Sequence, residues 1–130
     1  MAGLASKGTQ GCSGVIAEVV GVMMMSRTYA HMAHLYTASY SKHMALNEFY
    51  EEVVDLVDDL AEATQGQYGK LDIPFVKMMG NVQDPIGGIA SHLDEIEMLM
   101  QDCDEDYLMS IFQEIQKLYR STLYKMKMLS

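Results

Sequence analysis

This chain of 130 residues has neither the long apolar run of a membrane protein nor the leader pattern of a secreted one. No apolar run approaches the roughly 20 residues of a transmembrane helix, so we expect no membrane span. Residues 1–14 hold one lysine and no apolar stretch before Val15, and they therefore lack the parts of a secretion signal. We expect this amino-terminal part to be a loose tail.

Cysteine is also scarce, with only Cys12 and Cys103 in the whole chain. Cys12 falls in the expected tail, and Cys103 falls in an expected turn among acidic residues. Two cysteines are too few, and these two are too poorly placed, for a disulfide framework or a thiolate metal site. We therefore expect a reducing compartment, the cytoplasm.

Basic residues are outnumbered, since 9 lysines and arginines face 18 acidic residues and the formal net charge is −9. Such a surface repels polyanions over most of its area, which disfavours DNA binding. The same charge attracts divalent cations, although many proteins of this charge bind no metal.

Motifs for several kinds of chemistry are absent. The sequence has no Ser-His-Asp arrangement, no glycine loop of the type that holds phosphate and no dinucleotide-binding fingerprint, so hydrolase and nucleotide chemistry have no support. The 13 methionines are spaced as residues that fill gaps in a helical core, which argues against copper binding.

Apolar residues recur at steps of three and four, which predicts four helices and almost no strand. The first is expected at about Ser13 to Thr37 and the second from near Ser41 to Gly66. Asp84 and Pro85 predict the start of a third helix, and the acidic run at 102–106 separates it from a fourth. We expect a tail at 1–13 and a single domain at 14–130.

Two core stripes follow from the helical spacing. On the first helix, one stripe is expected to run along Ile16, Val19, Val20, Met23, Arg27, His34 and Leu35. The second is expected to bury Leu46, Phe49, Tyr50, Val53, Leu56, Val57 and Leu60.

Residues 67–83 form the one long connection, which is too long for a tight turn between neighbouring helices. Its length suits a crossover along the bundle, with room for a helical turn at about Phe75 to Met79. A short, a long and a short link between four helices is the connectivity of ferritin-like bundles. The predicted fold is therefore an all-α, ferritin-like four-helix bundle with a long crossover between helices two and three.

Histidines and acids on the first two helices are candidate metal ligands. His43, Asn47, Glu51, Asp58 and Glu62 share a stripe of the second helix that is displaced from its core face. Imidazole and carboxylate ligands together suit iron, zinc or manganese. Asp58 and Glu62 stand at i and i+4, so their carboxylates can share one ion. His31 and His34 near the end of the first helix are alternative partners for His43, and we expect at most one of them to be a direct ligand. His92 on the third helix is expected to be structural or exposed.

The segment His31 to Gly66 resembles the Dps-like branch of the ferritin-like superfamily. His31, His43, Asp58 and Glu62 stand at the spacings of that family's ligands, but Asn47 replaces an intermediate acid. A second register, over Leu46 to Glu52, places Asn47 on the family's second histidine and Glu51 on its acid. A closer likeness is to small uncharacterised Dps-like proteins of tailed phages and marine viral sequences.

The resemblance implies an iron site shared across a two-fold dimer, with histidines of one chain facing acids of the other. We therefore expect a homo-oligomer built from two-fold dimers that binds and oxidises Fe(II), with zinc or manganese as other possible ions. The metal ligands would be His31 or His34 with His43, Asp58 and Glu62, and Asn47 and Glu51 have a weaker claim. The alternative expectation is a non-catalytic oligomer or interaction protein of phage origin whose metal site was lost with the acid at Asn47.

Overall fold

The computed structural model describes residues 12–129, and these residues form four α-helices without a strand. The helices are α1 (Ser13–Tyr36), α2 (Tyr40–Tyr68), α3 (Pro85–Met100) and α4 (Asp106–Met128). The all-helical prediction is confirmed. Helix boundaries lie within a few residues of those that the sequence predicts.

Two of the helix starts are capped by side chains. The Asp84 carboxylate accepts a hydrogen bond from the Gly87 amide at 3.1 Å, and Pro85 follows it in the first turn of α3, as the sequence predicts. The Ser39 hydroxyl accepts from the Lys42 amide at 3.3 Å and caps α2. Only residues 37–39 separate α1 from α2, so these two helices are antiparallel neighbours.

Each helix packs against two others, in the cyclic order α1, α2, α4, α3. The core at their centre contains large side chains that are fully buried, among them Ile16, Met23, Phe49, Ile96 and Ile115. The predicted stripe of α1 is wrong at Arg27, which is exposed, and at Leu35, which is 72% exposed. Leu35 lies about 100° round the helix from the buried His34, outside the buried face. Tyr50 and Leu56, expected in the core of α2, are only half-buried.

The connection between α2 and α3, residues 69–84, is hereafter the crossover segment. Pro74 lies against Gly21 in the first half of α1, whereas the backbone carbonyls of Asn81 and Asp84 lie 2.7 and 2.9 Å from the Tyr29 hydroxyl further along. The segment therefore runs along α1 in the same direction, and α3 runs back antiparallel to α1. A crossover is confirmed.

Two details of the crossover segment were not foreseen. The helical turn expected at about Phe75 to Met79 is wrong, because residues 75–79 are irregular. Val76 and Met79 are half-buried against the core, whereas Phe75 is exposed. Close approach to α1 also requires a glycine, since a Cβ at Gly21 would lie 2.8 Å from the Pro74 carbonyl oxygen.

Cys12 and Cys103 form a disulfide, with their Cα atoms 5.5 Å apart and a sequence separation of 91. The expectation that the cysteines are too poorly placed to pair is therefore wrong. The antiparallel course of α3 against α1 returns the chain to the start of α1, and this brings Cys103 to Cys12. Sequence spacing alone does not contain that information.

Within residues 12–129, no helix is both long enough and apolar enough to cross a bilayer. The expected tail falls mostly on residues 1–11, which lie outside the described part of the chain. Ser13 is already the first residue of α1.

Candidate metal centre

Three of the predicted ligands meet where α1 ends and α2 begins, and His31, His34 and His43 are hereafter the histidine cluster. The rings of His34 and His43 are stacked, with centroids 3.7 Å apart and planes at 22°. His31 lies with its ring centroid 6.1 Å from that of His34 and stacks on Tyr50 at 4.4 Å. His34 is buried, His43 is half-buried and His31 is exposed.

His34 and His43 are joined by a reciprocal pair of hydrogen bonds. The His34 Nδ1–H donates to the His43 carbonyl at 2.8 Å, and the His43 Nδ1–H donates to the His34 carbonyl at 3.0 Å. A carbonyl only accepts, so both imidazoles carry their proton on Nδ1 when neutral. Their Nε2 atoms keep a free lone pair and have no hydrogen-bond partner within residues 12–129. Metal-binding histidines commonly have this arrangement.

Stacking limits how the two histidines can bind a metal. The lone pair of Nε2 lies in the ring plane, and an ion binds along it at about 2.1 Å. With the His34 and His43 rings face to face at 3.7 Å, an ion in the plane of one ring is beyond bonding distance of the other. In this arrangement the two rings cannot share one ion, so each ion takes at most one of them.

The resemblance predicts an acid at Asn47. In Asn47 both the oxygen and the nitrogen of the side-chain amide are hydrogen-bonded. The Tyr50 hydroxyl donates to its Oδ1 at 2.8 Å, and its Nδ2 donates to the Glu51 carboxylate at 3.3 Å. Tyr50 thus contacts both His31 and Asn47. Sequence reasoning missed this tyrosine, although its position one turn after Asn47 on the same side of α2 was the available signal.

Asp58 and Glu62 are exposed and lie one turn apart on α2. His43 precedes Asp58 by fifteen positions on the same helix, which corresponds to about 22 Å of helical rise. One copy of the chain therefore does not bring the histidines and these acids together. The predicted site requires a second copy, and the assignment of its ligands stays a prediction.

Within the described residues, one group of three potential ligands is close enough to hold an ion, and it lies elsewhere. It consists of Cys12, Cys103 and Glu105. Sequence reasoning missed it because the cysteines are distant in the chain.

His92 has a different environment from the histidine cluster. It is fully buried on α3, its Nδ1 accepts from the Ser26 hydroxyl at 2.8 Å, and its Nε2–H donates to the Met79 carbonyl at 2.7 Å. Burial lowers the pKa of His92, since an apolar environment disfavours the charged ring. His92 is structural, in agreement with one of the two expectations, and ties the crossover segment to α1 and α3.

Comparison with known proteins gives two matches. A family model described as "Family of unknown function (DUF5856)" matches residues 34–126, a range that includes His34, His43, Asn47, Asp58 and Glu62 but begins after His31. A protein of Enterobacteria phage T4, described as "Uncharacterized 14.6 kDa protein in mobD-ri intergenic region", is 30% identical over 106 residues, which are 82% of this chain and 74% of the relative. No solved structure matches the chain. The expected likeness to a phage protein is thus confirmed.

Proposed function

The chain belongs to the family of unknown function DUF5856, and from its geometry we propose that it is a metal-binding homo-oligomer with a ferritin-like fold. The metal, Fe(II) in the first instance, binds between the α2 helices of two copies and is oxidised there to Fe(III) by oxygen or peroxide, which accepts the electron. The order of the helices and the crossover segment along α1 support the fold, because ferritin-like bundles have this connectivity.

The single observation that carries this proposal is the symmetry of one face of α2. His43, Tyr50, Glu51 and Asp58 lie within a sector of about 100° when successive residues are separated by 100°. All four are half-buried or exposed in a single copy. The midpoint between His43 and Asp58 falls between Tyr50 and Glu51.

A two-fold axis at that midpoint would set two α2 helices antiparallel. His43 of each copy would then face Asp58 of the other, and two equal sites would form. Exposed apolar side chains around the junction of α1 and α2 suit burial in such an interface. They are Met32, Leu35, Tyr36, Tyr40 and Met44.

The residues present fit a divalent ion. His43 offers an Nε2 that has no partner among the residues described, and the Nδ1 hydrogen bond fixes the direction of that nitrogen. Asp58 and Glu62 offer carboxylates one turn apart. His31 is the second imidazole, because stacking prevents His34 from sharing the ion and leaves it to hold the His43 ring. Bound iron supplies the redox chemistry, and zinc or manganese would suit the same ligands.

The first experiment measures Fe(II) binding and oxidation by the purified full-length chain against buffer. Asp58→Asn should abolish both, because it removes a ligand charge. Asp59→Asn is the matched control, since this exposed neighbour lies about 100° further round the helix. Wild-type protein that is helical by circular dichroism but takes up no iron and oxidises Fe(II) no faster than buffer would contradict the proposal.

A mixing experiment tests whether the site is shared. His43→Gln and Asp58→Asn, each inactive alone, are mixed in equal amounts and allowed to exchange subunits. Each mixed dimer should regain one of its two sites, which restores about a quarter of wild-type binding if exchange is random. No recovery between variants that demonstrably exchange subunits would show that the ligands do not come from two copies.

A second function, a non-catalytic oligomer or interaction protein, is favoured by the environment of Asn47. Its neutral amide satisfies Tyr50 and Glu51 without a cation, as expected of a site that has lost its metal. Asn47→Asp would place two carboxylates together, and such a pair is stable only with a bound cation or proton. Iron binding gained only in this variant identifies a lost site, whereas absence of a gain removes the register that aligns Asn47 with the Dps acid.

A further inference from the structure

A second group of potential ligands lies at the opposite end of α1 from the histidine cluster. One ligand atom each from Cys12, Cys103 and Glu105 lie within 4.8 Å of one another. Cys12 precedes α1, and the other two belong to the turn between α3 and α4. Cys103 is buried, and Cys12 and Glu105 are half-buried, so the group is partly shielded from solvent.

Glu105 is held in place by hydrogen bonds from two directions. The Cys12 backbone amide donates to its Oε2 at 2.7 Å, and the Tyr68 hydroxyl at the end of α2 donates to its Oε1. Tyr107 also interacts with this carboxylate. The two oxygens have about four acceptor positions together, so these three contacts leave one for a cation. Carboxylate ligands oriented by such outer hydrogen bonds are typical of built metal sites.

We propose that reduction of the Cys12–Cys103 disulfide turns this group into a binding site for a zinc-type divalent cation. A dithiol reductant opens the S–S bond, giving two protein thiols and the oxidised reductant as a disulfide. Binding of M²⁺ then releases one proton from each thiol and yields a site of two thiolates and the Glu105 carboxylate. A water molecule would fill the fourth position.

The separation of the two cysteines permits this change. Zinc–sulfur bonds of about 2.3 Å in a tetrahedral site place the two sulfur atoms about 3.8 Å apart. The Cα atoms are 5.5 Å apart in the disulfide, so side-chain rotation can supply that separation without moving the helices. Disulfide and metal use the same two sulfur atoms, and each form therefore excludes the other.

This site is independent of the proposed iron site, because it contains no histidine and no residue of the exposed face of α2. Thiolate ligation also has its own spectroscopic signature, so the two sites are distinguished in one titration.

The test uses the full-length chain, reduced with a dithiol that is then removed without oxygen, and titrated with Co(II) as the probe. We expect one equivalent to bind with a thiolate-to-cobalt charge-transfer band in the near ultraviolet, and Zn(II) to displace it. Cys103→Ser should lose the band. Glu105→Gln removes a ligand charge and should weaken Co(II) binding by about tenfold or more. Tyr68→Phe removes only a hydrogen bond to Glu105 and should weaken Co(II) binding by about tenfold. Asp104→Asn, an exposed neighbour, should bind as wild type.

A second measurement needs no variant. Zn(II) should slow alkylation of both cysteines in the reduced chain, and the unreduced disulfide form should show no charge-transfer band. Reduced protein that gives no band and no protection overturns the proposal, as does a band of undiminished strength in Cys103→Ser. Unchanged affinity in Glu105→Gln removes the carboxylate from the site and overturns the proposed ligand set.

Discussion

His92 and the histidine cluster differ in how completely their ring nitrogens are used. In His92 both nitrogens have partners inside the chain, the Ser26 hydroxyl and the Met79 carbonyl. In His34 and His43, Nδ1 has a partner and Nε2 has none among residues 12–129. A fully paired, fully buried histidine has no capacity left for a ligand, whereas a histidine with one free nitrogen keeps that capacity.

The two regions also differ in what surrounds them. His92 packs edge-on against Tyr29, whose hydroxyl donates a hydrogen bond to the Asn81 carbonyl of the crossover segment. Burial, and to a smaller extent the charge of Asp84, raise the pKa of Tyr29 to about 12, so it stays a hydrogen-bond donor at neutral pH. The histidine cluster instead lies beside exposed apolar side chains. The region around His92 stabilises the fold of one chain, whereas the histidine cluster is suited to contact with a ligand or a second chain.

The largest effect should come from Gly88→Ala on the His92 side. A Cβ there would lie 2.0 Å from the Tyr29 hydroxyl oxygen, so the tyrosine and the crossover segment have to move. We expect a loss of about 3 kcal/mol in the free energy of unfolding, measured by chemical denaturation. Gly66→Ala is the control, since its Cβ would meet open space and the helix should gain up to about 1 kcal/mol. Equal stability of the two variants would mean that Tyr29 is not fixed.

His92→Ala should be nearly as harmful. It leaves the Met79 carbonyl and the Ser26 hydroxyl without their partner, and we expect a loss of about 2 to 3 kcal/mol in the free energy of unfolding. Asp94→Ala, an exposed change on the same helix, should stay within about 0.5 kcal/mol of wild type. A loss no larger than that of the control would remove the structural role.

The lowered pKa of His92 predicts how stability depends on pH. The unfolded chain binds a proton near pH 6.5, but the folded chain does so only at lower pH, so the unfolded state holds more protons in that interval. Stability is therefore retained above pH 6.5 and declines as the pH falls below it, by at most about 1.4 kcal/mol per pH unit from this group. Denaturation from about pH 8 to about pH 5 in wild type and His92→Gln should show a shallower decline in the variant.

The smallest effect is expected in the histidine cluster. His43→Ala removes one hydrogen bond to the His34 carbonyl and one stacked ring at a half-buried position, and should cost about 1 kcal/mol. The exposed neighbour in Met44→Ala should change the free energy of unfolding little. A loss as large as that of His92→Ala would mean that the cluster is structural in the same sense as His92 and would weaken the functional interpretation.

Much of the fold was predictable from local chemistry. Steps of three and four between apolar residues gave the helices, and Asp84 with Pro85 gave the start of α3, because capping depends on residues close in sequence. The crossover followed from the length of the connection. Leu35 and the expected helical turn near Phe75 were wrong, since exposure and irregular packing depend on what lies opposite in space.

The candidate site was predictable only in part. Spacing placed His31, His34 and His43 near one another, because a short link joins two antiparallel helices there. Spacing could not reveal the stacking of His34 on His43 or the contacts of Tyr50 with His31 and Asn47. Those contacts depend on side-chain rotamers and on the angle between the helices.

Sequence by itself determined the four helices, their order and the position of the long link, because helical periodicity, caps and link lengths act over a few residues. Only the tertiary structure decided that Cys12 lies beside Cys103, that His92 is fully paired, and that His34 and His43 each keep one nitrogen without a partner in the described part of the chain. The physical reason is that a disulfide or a hydrogen bond forms where atoms come within a few ångströms, and packing brings together residues that are far apart in the chain.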